Sequence, residues 1–213
     1  YYCPRDGGEG AVALMRVPES GGAAQAVAFL DTTAAEAEAW LPEILPDGKT
    51  VLISVSGGAV SWHIDAIKPD GSRVMLVENA LLARYAPGYL VYQDLSSQAV
   101  LCAPFDADRL AFTGPAVPLT DPVDANHAFD IDTHGTLVYV PVMGANAGSE
   151  VVWLDRNGAA SLVTETRGTW ASPRVSSDGK RVLLRKTLVN CELWMYDVES
   201  GALRDLPLEA LFV

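Results

Sequence analysis

Cysteine and histidine are scarce, and so are cations. Cys3, Cys102 and Cys191 are the three cysteines of the 213 residues, and they lie far apart. A disulfide framework calls for an even count in a shorter chain, and a zinc site for close Cys-x-x-Cys pairs. Neither pattern is present, so the three thiols are expected as small buried side chains. One incidental disulfide stays open if the protein is extracytoplasmic. Fifteen Lys and Arg against 27 Asp and Glu leave a net charge of −12. Such a surface repels phosphate backbones, so no nucleic-acid partner is expected. The longest apolar runs are about five to seven residues, far short of the ~18–20 that a membrane helix needs, so no membrane insertion by this chain is expected. There is no Walker loop, kinase loop, His-Glu-x-x-His or Gly-x-Ser-x-Gly, and no motif calls for a cofactor or a metal. No Asn-x-Ser/Thr sequon is present. The chain opens on Tyr1 rather than Met, which reads as a fragment or a processed form.

What the sequence does contain is enough apolar residue (49%) to build a core, and a repeat. Four segments place a Gly turn before a short β-rich run, with their glycines at Gly48, Gly88, Gly135 and Gly179. A period of about 40 to 45 residues is that of a four-stranded propeller blade. A second turn follows at Gly71, Gly158 and Gly201, 22 or 23 residues after the first. Asp-Gly and Asn-Gly supply the positive φ of tight hairpins. Two hairpins of five-residue strands fill each period. The expected blade units are 1–30, 40–78, 82–120, 126–164 and 170–207 of a single propeller domain. The first unit lacks its innermost strand, and 208–213 is a candidate closing strand. Thr32 to Trp40 is rich in Ala and Glu and favours one or two helical turns between blades.

The turns Pro46-Asp47-Gly48-Lys49 and Ser177-Asp178-Gly179-Lys180-Arg181, each before an apolar strand, resemble those of TolB-like (WD-like) β-propeller repeats. The run Val151-Val152-Trp153-Leu154-Asp155-Arg156-Asn157-Gly158, with Leu193-Trp194-Met195-Tyr196-Asp197-Val198, is similar to propeller repeats attached to bacterial serine/threonine kinases. Related repeats form the propeller of prolyl-oligopeptidase-like peptidases. The resemblance covers nearly the whole chain. It implies an all-β propeller of about five four-stranded antiparallel blades, as a small ring or as part of a six-bladed or larger one. The turns at Ala86-Pro87-Gly88 and Thr133-His134-Gly135 depart from the family pattern.

First strands of blades line a propeller channel, with one face turned inward. Trp40 and His127 each precede a first-turn Gly by eight residues, and Arg84 and Arg174 by four and five. With Asp130 and Trp170 they are the candidates for a channel or its mouth; packing between blades is the plainer account of the same positions. His134 reads as a turn residue, and His63, beside Trp62, as a satisfied or exposed strand residue. The regular third-strand placement of Trp62, Trp153 and Trp194 points to packing. Asp31, Asp106, Asp108, Asp121, Asp124, Asp130 and Asp132 lack EF-hand spacing and read as turn and strand-end residues.

The functional expectation is a non-catalytic module that binds a protein or small-molecule ligand at the channel or loop face. It would be the sensor or scaffold part of a larger bacterial protein such as a serine/threonine kinase, outside the cytoplasmic membrane, with a cytoplasmic location as the alternative. The alternatives are a propeller hydrolase or lyase with His127 as its base, and the propeller cap of a peptidase.

Overall fold

A computed structural model describes residues 1–4, 11–58, 61–123, 129–142, 150–155, 157–166, 168–187 and 191–207, and of Thr187 and Cys191 the backbone only. Among these residues there are five antiparallel sheets. In the first, β1 (Val12–Arg16) pairs with β2 (Gln25–Phe29), and an isolated bridge joins Tyr2 to Met15. The second runs β3 (Glu36–Ile44), β4 (Val51–Gly57), β5 (Trp62–Ile67) and β6 (Arg73–Glu78) in spatial order. The third runs β7 (Ala80–Ala86), β8 (Tyr89–Asp94), β9 (Val100–Asp106) and β10 (Ala111–Phe112), with β11 (Val117–Pro118) also on β9. The fourth is β12 (Phe129–Ile131), β13 (Leu137–Tyr139), β14 (Val152–Leu154) and β15 (Ala160–Leu162). The fifth is β16 (Trp170–Val175), β17 (Arg181–Thr187), β18 (Cys191–Asp197) and β19 (Leu203–Leu206). Chain order equals spatial order in the second, fourth and fifth, the meander of a propeller blade. Among the described residues the first sheet consists of β1 and β2 alone. The candidate closing strand at 208–213 lies outside the described residues.

The Ala- and Glu-rich stretch does not become a helix of any length. Asp31 caps a single 3-10 turn at Thr32–Ala34 by accepting from the amides of Thr33 and Ala34, and Ala35 at φ 62° ends it. From Glu36 onward the chain is strand β3. Six residues of good propensity cannot offset the cost of nucleating an isolated helix, whereas pairing with β4 gives the inward-facing amides of β3 partners. Gly57 makes the tight return possible: a Cβ there would lie 2.3 Å from the carbonyl oxygen of Ala35.

The contacts divide the chain into two compact units, residues 1–96 with 101–117, and residues 97–100 with 118–213. In the first unit, the second sheet is covered on both faces. Val51, Ile53, Val55 and Ile67 pack with Ala13, Leu14, Ala28 and Leu30 of the first sheet. Leu52, Ile64 and Ala66 pack with Ala83, Leu90, Tyr92, Ala103 and Phe105 of the third. This double burial is why β4 reads Val-Leu-Ile-Ser-Val without the polar alternation of a half-exposed strand. In the second unit, Phe129, Leu137, Val138, Val182 and Leu184 are buried.

The hairpin turns are built alike in both units. Asp47, Asp70, Asp132, Asp155, Asp178 and Asp197 each accept hydrogen bonds from amides two to four residues ahead. The glycine that follows each has positive φ, between 67° and 84°. Five of these carboxyls are held below the ordinary value of 3.8. For Asp70, Asp178 and Asp197 the leading cause is the hydroxyl of Ser72, Ser176 or Ser200, and for Asp155 it is the amide of Ala159. For Asp47, burial opposes the shift, and the bonds from Thr50 and Lys49 outweigh it.

A carboxyl depressed on folding contributes stability above its unfolded value and loses it as pH falls through the folded value. The urea midpoint is therefore expected to be flat above about pH 5 and to fall on acidification below about pH 4. A midpoint unchanged or rising between pH 5 and pH 3 contradicts this account of the turns.

Candidate functional site

Five of the six candidate channel residues are described, and all five lie on first strands: Trp40 on β3, Arg84 on β7, Asp130 on β12, Trp170 and Arg174 on β16. His127 lies outside the described residues. Within each unit, first strands of successive sheets are neighbours, β3 beside β7 and β12 beside β16. A carboxylate spans each of these junctions. Glu43 on β3 accepts from the amide of Tyr85 at 3.4 Å and lies 3.4 Å from the Arg84 guanidinium. Asp130 on β12 accepts from the amide of Val175 at 2.8 Å. Arg84 and Arg174 each precede the bonded amide, and each donates to the carbonyl of the residue before it, at 3.0 Å. The same latch is thus made in both units.

Each of the three longest first strands also carries a bulge with a non-glycine residue at positive φ: Leu41 at 61°, Leu82 at 51° and Ser172 at 49°. All three fall six or seven residues before the first-turn glycine. Holding a branched side chain in that region costs roughly 1–3 kcal/mol and persists only where the surroundings impose it. At Leu82 the imposition is visible, since its amide donates to the buried Ser54 hydroxyl at 3.1 Å. A bulge re-aims the strand end and terminates pairing, and bulges are common at rims and sites.

Trp40 and Trp170 are both used in packing. Trp40 meets Trp62 edge-on at 6.0 Å, and Trp170 meets Trp194 edge-on at 6.1 Å. In each case a first-strand ring meets a third-strand ring of its own sheet. Trp170 is buried and donates from Nε1 to the Thr166 carbonyl at 2.9 Å, while Trp40 is half-buried. The seven aspartates outside calcium-loop spacing include six described ones; of these, Asp31, Asp106, Asp130 and Asp132 accept backbone amides. His134 sits in its turn with an exposed ring, Nδ1 3.8 Å from Asp132.

A second cluster lies around His63, apart from the candidate channel residues. His63 is neither exposed nor satisfied: it is 2% exposed, and neither ring nitrogen has a hydrogen-bond partner among the described residues. It shares one face of β5 with Asp65. Nε2 stands 3.6 Å from Asp65 Oδ1 and 3.8 Å from Glu36 Oε1. Arg73, at the start of β6, holds both carboxylates. Its Nη1 donates to Glu36 Oε2 at 2.7 Å, its Nη2 to Oε1 at 2.8 Å, and its Nε and Nη2 to Asp65 Oδ2. The Asp31 amide donates to Glu36 Oε2 at 2.7 Å, and Arg73 also reaches the Phe29 carbonyl at 3.2 Å. Burial pushes the Asp65 carboxyl up, but His63 and Arg73 beside it outweigh that and bring it below the usual range. Burial likewise opposes the charge on Arg73, and Glu36 and Asp65 restore it and raise its pKa. His63-x-Asp65 was readable as a pair on one strand face. Glu36 and Arg73 come from other strands, and no local pattern marks them.

The sheet meander, the period and the junctions between first strands define a β-propeller. Solved structures agree. The chain is similar to TolB from Acinetobacter baumannii (TM-score 0.64, 18% identity, covering 88% of this chain and 46% of that one). It is similar to a chain of a nidogen/laminin complex (0.65, 15%, 91% and 70%) and to a puromycin hydrolase (0.58, 18%, 85% and 30%). The fold is therefore TolB-like, as the turn motifs imply, and the chain spans about half the length of TolB or less than a third of the hydrolase. No sequence-family model matches the chain, and no curated protein does.

Replacing Arg73 by Met leaves two buried carboxylates facing each other without their cation. The expected loss is about 3 kcal/mol of folding stability, read from urea unfolding. Adding Asp65→Asn to that variant should recover part of the loss, and a loss under about 0.5 kcal/mol would show the ion cluster to be incidental.

Proposed function

We propose that this propeller is a non-catalytic binding module that docks a protein or small ligand at the ends of its first strands, as the sensor or scaffold part of a larger bacterial protein. The observation that carries the reading is the bulge repeated at Leu41, Leu82 and Ser172 beside Trp40, Arg84 and Arg174. Each of these first strands keeps a costly conformation at its bulge, and at Leu82 the buried Ser54 hydroxyl fixes it, which is how a preformed surface avoids ordering costs on binding. Trp and Arg are also the side chains most often responsible for binding energy at interfaces. The likeness to a propeller in the nidogen/laminin complex supports a protein as the occupant, and the acidic chain favours a basic one.

A photo-crosslinking residue at Trp40 or Arg174, both half-buried on first strands, is expected to capture the partner from source extract. The same residue at the exposed Ser161 on β15 is not. Equal capture from all three positions, or hydrolase or lyase turnover by the purified chain, would overturn the reading.

A further inference from the structure

We propose that Glu36, His63 and Asp65 form a binding site for one divalent transition-metal ion of the zinc class, ligated through Glu36 Oε1, His63 Nε2 and Asp65 Oδ1. These three atoms lie within 4.8 Å of one another. Ligands held at about 2.0–2.2 Å from one ion stand roughly 3–4 Å apart in tetrahedral geometry. The two separations from Nε2, 3.6 and 3.8 Å, already fall in that span.

Both partners of the shorter separation are unsatisfied. Asp65 Oδ1 and the two ring nitrogens of His63 are buried without a hydrogen bond among the described residues. A buried polar atom left unpaired in a native protein calls for a reason, and a ligand that consumes lone pairs is one. An imidazole nitrogen and two carboxylate oxygens are lone-pair donors of the kind that ligate such an ion.

Arg73 then has the part of an outer-shell residue. It fixes Asp65 through Oδ2 and so turns Oδ1 toward Nε2. It fixes Glu36 through both oxygens, and the Asp31 amide holds Oε2 as well. A metal would therefore share Oε1 with the guanidinium while Oε2 stays anchored. Hydrogen bonds that orient ligating carboxylates are the usual support of such centres. Two carboxylates face a single guanidinium here, a balance that favours a cation in a largely buried place.

One nitrogen and two carboxylate oxygens select zinc, manganese or cobalt over magnesium and calcium, which take oxygen alone. Three protein ligands leave a fourth position for water. The described thiols compete poorly. Burial pushes the Cys3 thiol up to about 11 and raises that of Cys102, which disfavours the thiolate that a soft metal requires.

The test is calorimetric titration of the chelator-treated, dialysed full chain with Zn2+, repeated with Co2+ under optical absorption. One equivalent of Zn2+ should bind with a Kd on the order of a micromolar or tighter. The Co2+ form should show d–d bands without thiolate charge transfer. H63Q, which keeps a polar side chain of similar reach, should weaken Zn2+ at least ~100-fold, and D65N by ~10–100-fold, while H134Q stays at the parent value. Circular dichroism of each variant reports that it is folded. Should D65N fail to fold, H63Q and the Co2+ spectrum of the parent chain carry the test. No binding at ~100 µM Zn2+, thiolate charge transfer in the Co2+ spectrum, or parental affinity in folded H63Q overturns the site.

Discussion

The fold depends on sheets that have no solvent face. Each strand in the middle of the second sheet presents an apolar side chain on both sides, and each side must be closed by another sheet. A lone four-stranded sheet of this composition would leave Leu52, Ile53, Ile64 and Ile67 in part exposed. Burying a side chain of that size is worth roughly 1.5–3 kcal/mol, so the neighbouring sheets are not optional. Stacking sheets face to face brings their first strands side by side, and that proximity is what creates the Glu43–Tyr85 and Asp130–Val175 latches. The site features follow from the packing and do not stand apart from it.

The latches solve a problem that the packing raises. Where a bulge interrupts a first strand, amides lose their ladder partners. Leaving a buried amide unpaired costs about 1–3 kcal/mol. Ser54 supplies an acceptor for Leu82 at its bulge, while Asp130 and Glu43 supply one for outward amides of edge strands in regular register, Val175 and Tyr85. Carboxylates are strong acceptors for this purpose, and an adjacent guanidinium offsets their charge. The same arrangement recurs at the same place in the blade in both units.

Much of the architecture was legible because hairpins have strict chemistry. Asp-Gly and Asn-Gly at Gly48, Gly71, Gly158 and Gly179 announce positive φ, and their spacing sets the blade length. The positive-φ residues Leu41, Leu82 and Ser172 carry no such announcement, because tertiary contacts impose a conformation that their side chains disfavour. The expectation of one or two helical turns at Thr32 to Trp40 is met by a single 3-10 turn, and from Glu36 onward strand pairing overrides propensity. For the sites, first-strand membership of Trp40, Arg84, Asp130, Trp170 and Arg174 followed from counting back from a glycine. Their partners did not, since Glu43, Trp62 and Trp194 meet them across strands. The Glu36, His63, Asp65 and Arg73 group joins three strands over 38 positions, and only the register of β3 against β4 and β5 brings it together.

Among the described residues the two-stranded first sheet has no counterpart of the first strand that elsewhere carries a latch. Its ties to the second sheet are the apolar face around Leu14 and Ala28, and two backbone groups held by the ion cluster, the Phe29 carbonyl and the Asp31 amide. Those groups close the segment just after β2. With so few ties, local opening is expected to begin at this segment. Amides from Val27 to Leu30 would exchange with solvent by local fraying governed by Arg73 and Glu36, ahead of the global transition that frees β4 and β5.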